Sequence, residues 1–293
     1  HTEANFISAP ARVCERFHTG GAALLRGLNF WRRGSAAPPL LAGAILLIAA
    51  GAMAETTNGV PDAEIQGRQL AQQLCAARPA ESFTNTGILQ IRDGKGGRSE
   101  IPVRCEVIVA VTNWQSVYEA RTTNQVVTLW VIHPADRLNE YFYHTNSAEP
   151  VPVLGDIPTL GHLFRSTQVS GAELMIPFAG SDFWIADLGL EFFHWPEQKI
   201  LKKEFRRNCS CAVLESTNPN PTPNGYSRVD SWIDEESGGI VMARAYDAQG
   251  RLLKEFYPKD VKKVNGQWQV QSMEIDNVQT GSRTRLEFDL KAP

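Results

Sequence analysis

The side chains able to do chemistry in this sequence are few and scattered. His133, His144, His162 and His194 could serve as bases or metal ligands, but none has a second candidate ligand at a recognised spacing, so surface and capping roles fit them better. The run Gly94-Lys95-Gly96-Gly97-Arg98-Ser99 has the composition of a phosphate-binding loop. It lacks the required spacing and joins two strand-like segments rather than a strand to a helix, which makes it a hairpin turn. The sequence contains no G-x-S-x-G elbow, H-E-x-x-H pair, P-loop or G-x-G-x-x-G fingerprint. No catalytic residue, metal site or cofactor is therefore expected, and the chain reads as a non-enzyme. The basic cluster Lys199, Lys202, Lys203, Arg206 and Arg207 reads as the solvated face of a strand, with a patch toward an acidic partner or anionic membrane as its functional alternative.

Charge is distributed unevenly along the 293 residues, whose formal net charge is -3. Residues 1–54 hold Arg12, Arg16, Arg26, Arg32 and Arg33 against Glu3 and Glu15, a net of +3, so the remainder carries -6. An acidic body argues against nucleic acid as a partner. Arg32-Arg33, the uncharged run Leu40–Ala50 and Ala52-Met53-Ala54 form the n-region, apolar h-region and A-x-A site of a secretory signal peptide. The run is too short for a membrane span of roughly 20 residues and is preceded by Pro38-Pro39. The expected organisation is a non-structural extension over 1–33, a signal peptide over 34–54 cleaved after Ala54, and a single soluble domain over 55–293. That places the mature chain in the periplasm, possible association with the outer membrane included.

Export changes the reading of the cysteines. Cys75, Cys105, Cys209 and Cys211 remain in the body, and an even number in an oxidising compartment favours disulfides. Cys209 and Cys211 lie two apart on one face of a strand and do not close on each other without strain. The favoured arrangement is a disulfide from Cys75 or Cys105 to the 209/211 pair, followed by free buried thiols.

The elements that position these groups are mostly strands. Asp62 caps a helix running to about Ala77, with Gly67, Leu70, Ala71, Leu74 and Ala77 on one face. Segments 83–92, 99–112, 115–121, 125–133 and 138–145 are rich in Val, Ile, Thr, Tyr and Phe and have short connections, as in an antiparallel meander. Strand patterns return at 199–207, 210–216, 226–234, 240–246, 251–264, 267–277 and 282–290. Val107–Val111 and Val126–Ile132 are apolar on both faces, which implies cover on both sides of the sheet. Between the two strand sets, residues 150–180 alternate prolines with apolar residues and predict a short helix near 157–165. Ser181 then caps a predicted aromatic helix from Asp182 to about Trp195, stopped by Pro196. A curved sheet with apolar helices and loops on its concave side makes a cavity for an apolar ligand; the plainer alternative is a filled core.

These residues also carry a family resemblance. Gly180-Ser181-Asp182-Phe183, Asp187-Leu188, Cys211-Ala212-Val213-Leu214-Glu215-Ser216, Tyr226-Ser227-Arg228-Val229, Trp232-Ile233-Asp234, Ala245-Tyr246-Asp247 and Gly250-Arg251-Leu252-Leu253-Lys254, with Trp268, Met273 and Gly281-Ser282-Arg283-Thr284, resemble the LolA-like outer-membrane lipoprotein-sorting proteins. The resemblance spans roughly Gln66 to Leu290 and is most specific from Gly180 onward. It implies a mainly β (α+β) fold, an unclosed antiparallel β-barrel with helices covering its concave face, and an apolar cavity for acyl chains. The implied partners are acylated lipoproteins or lipids, an inner-membrane exporter and an outer-membrane acceptor. It also implies a lid held through its backbone by an arginine on a strand, and no arginine here matches that one. Trp130, Leu163, Phe164, Met175, Phe178, Phe183, Trp184 and Leu188 are the expected lining or lid residues. An enzyme acting on lipid or cell-wall substrates and a structural or sensory envelope module are the competing readings.

Overall fold

A computed structural model describes residues 62–147, 166–264 and 267–290. The predicted leader, the extension, the short helix near 157–165 and the candidates Leu163 and Phe164 lie outside the described residues. A first meander comprises β1 (Phe83–Arg92), β2 (Arg98–Val109), β3 (Asn113–Arg121), β4 (Gln125–Pro134), β5 (Glu140–Ser147) and the short β6 (Thr167–Val169). A second comprises β7 (Glu197–Arg206), β8 (Cys209–Thr217), β9 (Tyr226–Asp234), β10 (Ile240–Asp247), β11 (Leu252–Val264), β12 (Gln267–Asn277) and β13 (Arg283–Phe288).

The two meanders form one antiparallel sheet in the order β6-β5-β4-β3-β2-β1-β13-β12-β11-β10-β9-β8-β7. β1 and β13 join them at the centre, with Leu89 opposite Leu286 and Ile91 opposite Thr284. β6 and β7 occupy opposite edges, so the sheet does not close. This topology fixes the rest: after leaving one edge at Val169, the chain must travel the width of the sheet to start the other edge at Glu197. Residues 170–196 make that crossing and cover the concave face.

Local chemistry explains the connections. Asp93 accepts the Lys95 and Gly97 amides at 2.9 and 2.7 Å, so the glycine-rich run is the β1–β2 hairpin turn. Asp247 organises the β10–β11 turn by accepting the amides of Gln249 and Arg251. The helix α1 (Asp62–Cys75) lies on the β7 backbone, and Gly67 makes the approach possible. A Cβ there would fall 2.5 Å from both Cα and N of Lys199.

Side chains from alternate positions divide the sheet into two faces. Val103, Cys105, Tyr118, Leu129, Val131, Met273, Ile275, Leu286 and Phe288 belong to one buried cluster on the concave side. Leu214, Tyr226, Val229, Ile233, Ala243 and Ala245 continue it against Ala71 of α1 and Phe192 and Phe193 of the crossing segment. Cys209, Cys211, Val213, Trp232, Val241 and Met242 form a smaller cluster on the convex side. The expected disulfide is corrected by this division. Cys75, Cys105 and Cys211 are free thiols and Cys209 is disulfide-bonded, so neither Cys75 nor Cys105 joins the 209/211 pair; both pack on the concave side with the sheet between them and that pair. Burial pushes the Cys75 thiol up to about 12 and the Cys211 thiol up to about 11.

The predicted helix over 182–195 is also corrected. The crossing segment contains 3-10 turns at Gly171–Met175, Phe178–Gly180 and Glu191–His194 and a single α-turn, α2, at Ile185–Leu188. The cap of α2 is Asp187, whose carboxylate accepts the Trp184 amide at 2.8 Å. Ser181 instead donates to the Phe178 carbonyl and accepts the Phe183 amide within a tight turn. Leu190 at φ 52° ends the helical path. Gly189 sits against Tyr141, where a Cβ would fall 2.3 Å from the ring and its hydroxyl. Aromatic periodicity suggested a helix, but local tethers and close packing determine the shape.

Candidate ligand-binding site

The concave face is apolar, and the crossing segment lies on it as a cover. Phe183 and Leu188 face Tyr118, Val229, Phe256, Met273, Ile275 and Leu286 across a residual cavity of about 40 Å³. A water needs roughly 10–15 Å³ by this kind of measure, whereas ligand pockets start near roughly 300 Å³. The interior therefore has room for a few waters in this state, and an acyl chain can enter only if the cover moves.

Polar contacts fasten that cover. Thr284 on β13 accepts the Asp182 amide and donates to the Asp182 carboxylate, both at 2.9 Å. Ser282 donates to the other carboxylate oxygen at 2.6 Å. Lys254 on β11 is buried at 2% exposure, and its Nζ donates to the Asp182 carbonyl at 2.7 Å. The same ammonium lies 3.4 Å from Asp187 and 3.6 Å above the Trp184 ring. Trp184 in turn stacks on Tyr226 with 4.5 Å between centroids, and the Tyr226 hydroxyl donates to Asp187 at 3.0 Å. Burial lowers Lys254 to about 8, with Asp187 and Asp182 opposing the shift by favouring the charged form. Burial and then the Asp187 charge push the Tyr226 hydroxyl well up.

A second polar network fixes the far end of the cover. Asn139 donates to the Gly189 carbonyl at 3.0 Å, and Tyr141 donates to Glu191 at 2.8 Å. Because the Asn139 amide nitrogen faces Tyr141 and Gly189, its oxygen accepts from His133 Nδ1 at 3.0 Å, leaving Nε2 to accept from Ser116 at 3.2 Å. This order of contacts resembles a serine–histidine–amide relay, but Ser116 is 3% exposed and does not line the cavity. Burial lowers His133 to about 3 and raises Glu191 to about 7. With His133 stacked on Trp114 at 3.6 Å, the geometry is that of a strut.

The expected lining residues have separate positions. Phe183 and Leu188 line the 40 Å³ cavity, and Phe178 lines a smaller adjoining space with Leu89, Val103 and Phe288. Met175 bridges the two concave clusters, and Trp184 forms part of the polar fastening. Trp130 alternates with Leu129 and Val131 and therefore points to the opposite face of β4; it is not part of the concave lining. The aspartates, Lys254, Tyr226 and Thr284 were not anticipated as a site, since their positions span more than 100 residues. Some of the signal was present: all five fall within the motifs that carry the family resemblance.

A wider groove of about 600 Å³ opens beside α1, floored by Leu70, Leu74, Ile200, Ala212 and Ile233 and edged by Lys203, Glu235 and Glu236. Its floor adjoins the second concave cluster. Among the described residues no three His, Cys, Asp or Glu side chains form a metal-binding group, and no helix is long and apolar enough to cross a membrane.

An unclosed antiparallel sheet, curved over an apolar interior and covered by one crossing segment, defines the class: a half-open β-barrel. The chain shares this fold with solved structures that include a LolA superfamily protein. A DUF1329 family protein from Desulfovibrio piger superposes with a TM-score of 0.59 at 18% identity, over 78% of this chain and 92% of its own. An outer membrane lipoprotein-sorting protein domain from Vibrio parahaemolyticus gives 0.58 at 18% identity, over 78% and 92%. A LolA superfamily protein from Nitrosomonas europaea gives 0.50 at 14% identity, over 79% and 94%. A family model described as an uncharacterized protein matches residues 160–290, which include the fastened cover and β7–β13. No curated protein matches the chain.

Proposed function

We propose that this protein is a non-catalytic periplasmic carrier that takes acyl chains, those of lipoproteins in transit to the outer membrane, between its concave sheet and the crossing segment. One observation carries the reading: an extensive apolar face is covered by short turns pinned through side-chain contacts, rather than by continuous secondary structure. A cover of this kind can lift as a unit, because few backbone hydrogen bonds join it to the sheet. Burying a chain returns about 0.8 kcal/mol per CH₂, enough over a dozen carbons to offset several broken polar contacts. The closed state hides the same surface when no cargo is present, which keeps an apolar patch from causing aggregation. The structures described as lipoprotein-sorting and LolA superfamily proteins support the choice of cargo through their shared fold. The sequence pattern of a signal peptide supports export, and an inner-membrane exporter and an outer-membrane acceptor would be its loading and unloading partners.

Native mass spectrometry of the purified chain, together with titration of the neutral fluorophore N-phenyl-1-naphthylamine, tests the proposal. Co-purified lipid or saturable fluorophore binding is expected. A bare mass and no binding would instead favour a structural module with a filled core.

A further inference from the structure

Around Asp182 and Asp187 the carboxylates lie on the cover and the side-chain donors on the sheet. There four side chains of the sheet side donate to oxygens of the cover, Lys254 from β11, Tyr226 from β9, Thr284 from β13 and Ser282 just before it, and Thr284 also accepts the Asp182 amide. The side-chain acceptors of these four donors, the carboxylates of Asp182 and Asp187, belong to the crossing segment. When the cover lifts it removes both anions together, leaving on the wall a buried ammonium and the Tyr226 and Thr284 hydroxyls without these partners, while Ser282 keeps its contact with Thr280 at 2.7 Å. An ammonium in an apolar wall without a counter-charge is strongly unfavourable, so an occupant that replaces the cover must replace its negative charge as well. Lys254 and Tyr226 border the same cavity as Phe256, Met273 and Leu286, so a head group on the donors leaves its chain on the apolar floor.

We propose that these four donors form an anion site that the cover's own aspartates fill in the closed state, and that the ligand is an acyl-chain amphiphile with a carboxylate or phosphate head. This inference rests on the carrier reading and narrows it to a ligand class. It assigns Asp182 and Asp187 a second role beyond fastening: they are internal stand-ins that the ligand head displaces. A neutral or cationic amphiphile of equal chain length gains the same burial but leaves Lys254 unpaired.

The test uses the purified chain near pH 7, loaded with N-phenyl-1-naphthylamine and titrated with four twelve-carbon competitors: dodecanoate, dodecyl phosphate, dodecanol and dodecyltrimethylammonium. Acetate and inorganic phosphate are titrated in parallel. The two anionic amphiphiles are expected to displace the fluorophore at about tenfold lower concentration than the other two, the difference made by one charge-assisted contact. In Lys254→Met the gap is expected to fall within about threefold. The comparison in the unaltered protein decides the matter even where this variant does not fold. Equal displacement by all four competitors overturns the anion site and leaves the carrier reading intact. Displacement by acetate or phosphate alone overturns it in favour of a site for free anions. Failure of the fluorophore and of every amphiphile to bind overturns the carrier reading and this inference together.

Discussion

Thr284 grips Asp182 at both ends: its hydroxyl accepts the Asp182 amide and donates to the Asp182 carboxylate, each at 2.9 Å, across 102 residues of sequence. Thr284 is fully buried on the central strand where the two meanders meet. This contact therefore ties the cover to the part of the sheet least able to yield. Thr284→Val keeps the shape and removes the hydroxyl. The expected cost is about 2 kcal/mol, because a buried amide and a carboxylate oxygen both lose a partner. Chemical denaturation measures that loss. Faster uptake of a hydrophobic fluorophore in the same variant would separate an unlatched cover from general weakening, and unchanged uptake would assign Thr284 to stability alone.

Glu191 gives the cover a pH dependence of calculable sign. Burial raises its carboxyl from 4.5 to about 7, while the Tyr141 hydroxyl hydrogen bond opposes the shift. Between those values the folded protein holds a proton that the unfolded chain has released, so this group lowers stability as pH rises from about 4.5 to 7. Below the window the penalty is absent, and above it the penalty is complete. Glu191→Gln retains an acceptor for Tyr141 but does not titrate. The variant is expected to be more stable than the parent at pH 8 by on the order of 2 kcal/mol and equal to it near pH 4. Thermal melts across that range measure the difference, and parallel curves for the two proteins would contradict it.

Gly67 sets the distance between α1 and the sheet. A methyl group at this position would meet the backbone of Lys199 at 2.5 Å, and backbone cannot swing aside as a side chain can. Gly67→Ala is expected to push α1 off β7 and cost about 1–3 kcal/mol despite the higher helix propensity of alanine. The wider groove floored by Leu70 and Leu74 would change shape with it. Hydrogen exchange of the β7 amides reads the displacement directly, and a more protected helix in the variant would show that propensity outweighs the clash.

Much of the sheet was legible because antiparallel strands with one buried face alternate in sequence, and turns such as Asp247-Ala248-Gln249-Gly250 mark their ends. The LolA-like architecture followed from the later motifs. Pairing of β1 with β13 was not legible, since it depends on where the second meander returns, and no local pattern encodes that. The crossing segment misled the helical reading because Trp184, Leu188, Phe192 and Trp195 do occur at helical spacing. What breaks the helix is tertiary: Gly189 against Tyr141, and Asp182 bound to Ser282 and Thr284. The expected partnership of Cys75 or Cys105 with the 209/211 pair failed for a related reason, since a cysteine count carries no information about which face of a sheet each thiol occupies. Trp130 shows the same limit, as an apolar residue in a doubly apolar strand does not reveal which side faces the cavity.

The aromatic pair at the start of α2 separates fastening from lining. Phe183 is 1% exposed and borders the cavity, while Trp184 stacks on Tyr226 and lies beneath the Lys254 ammonium. Phe183→Ala removes apolar surface from the interior and is expected to cost about 3 kcal/mol in stability. Trp184→Ala removes a stacking partner and a cation–π contact, a smaller loss of about 1–2 kcal/mol. The two act on binding in opposite senses under the carrier reading. Loss of Phe183 takes contacts from a bound chain, whereas loss of Trp184 loosens the closed state that competes with the chain. Fluorophore titration of the single variants should therefore give weaker binding for Phe183→Ala and tighter or faster binding for Trp184→Ala, with the double variant weaker than the parent. If both single variants kept the parent's affinity and an intact fold, the cover would be a fixed part of the core and the interior would not be a binding site.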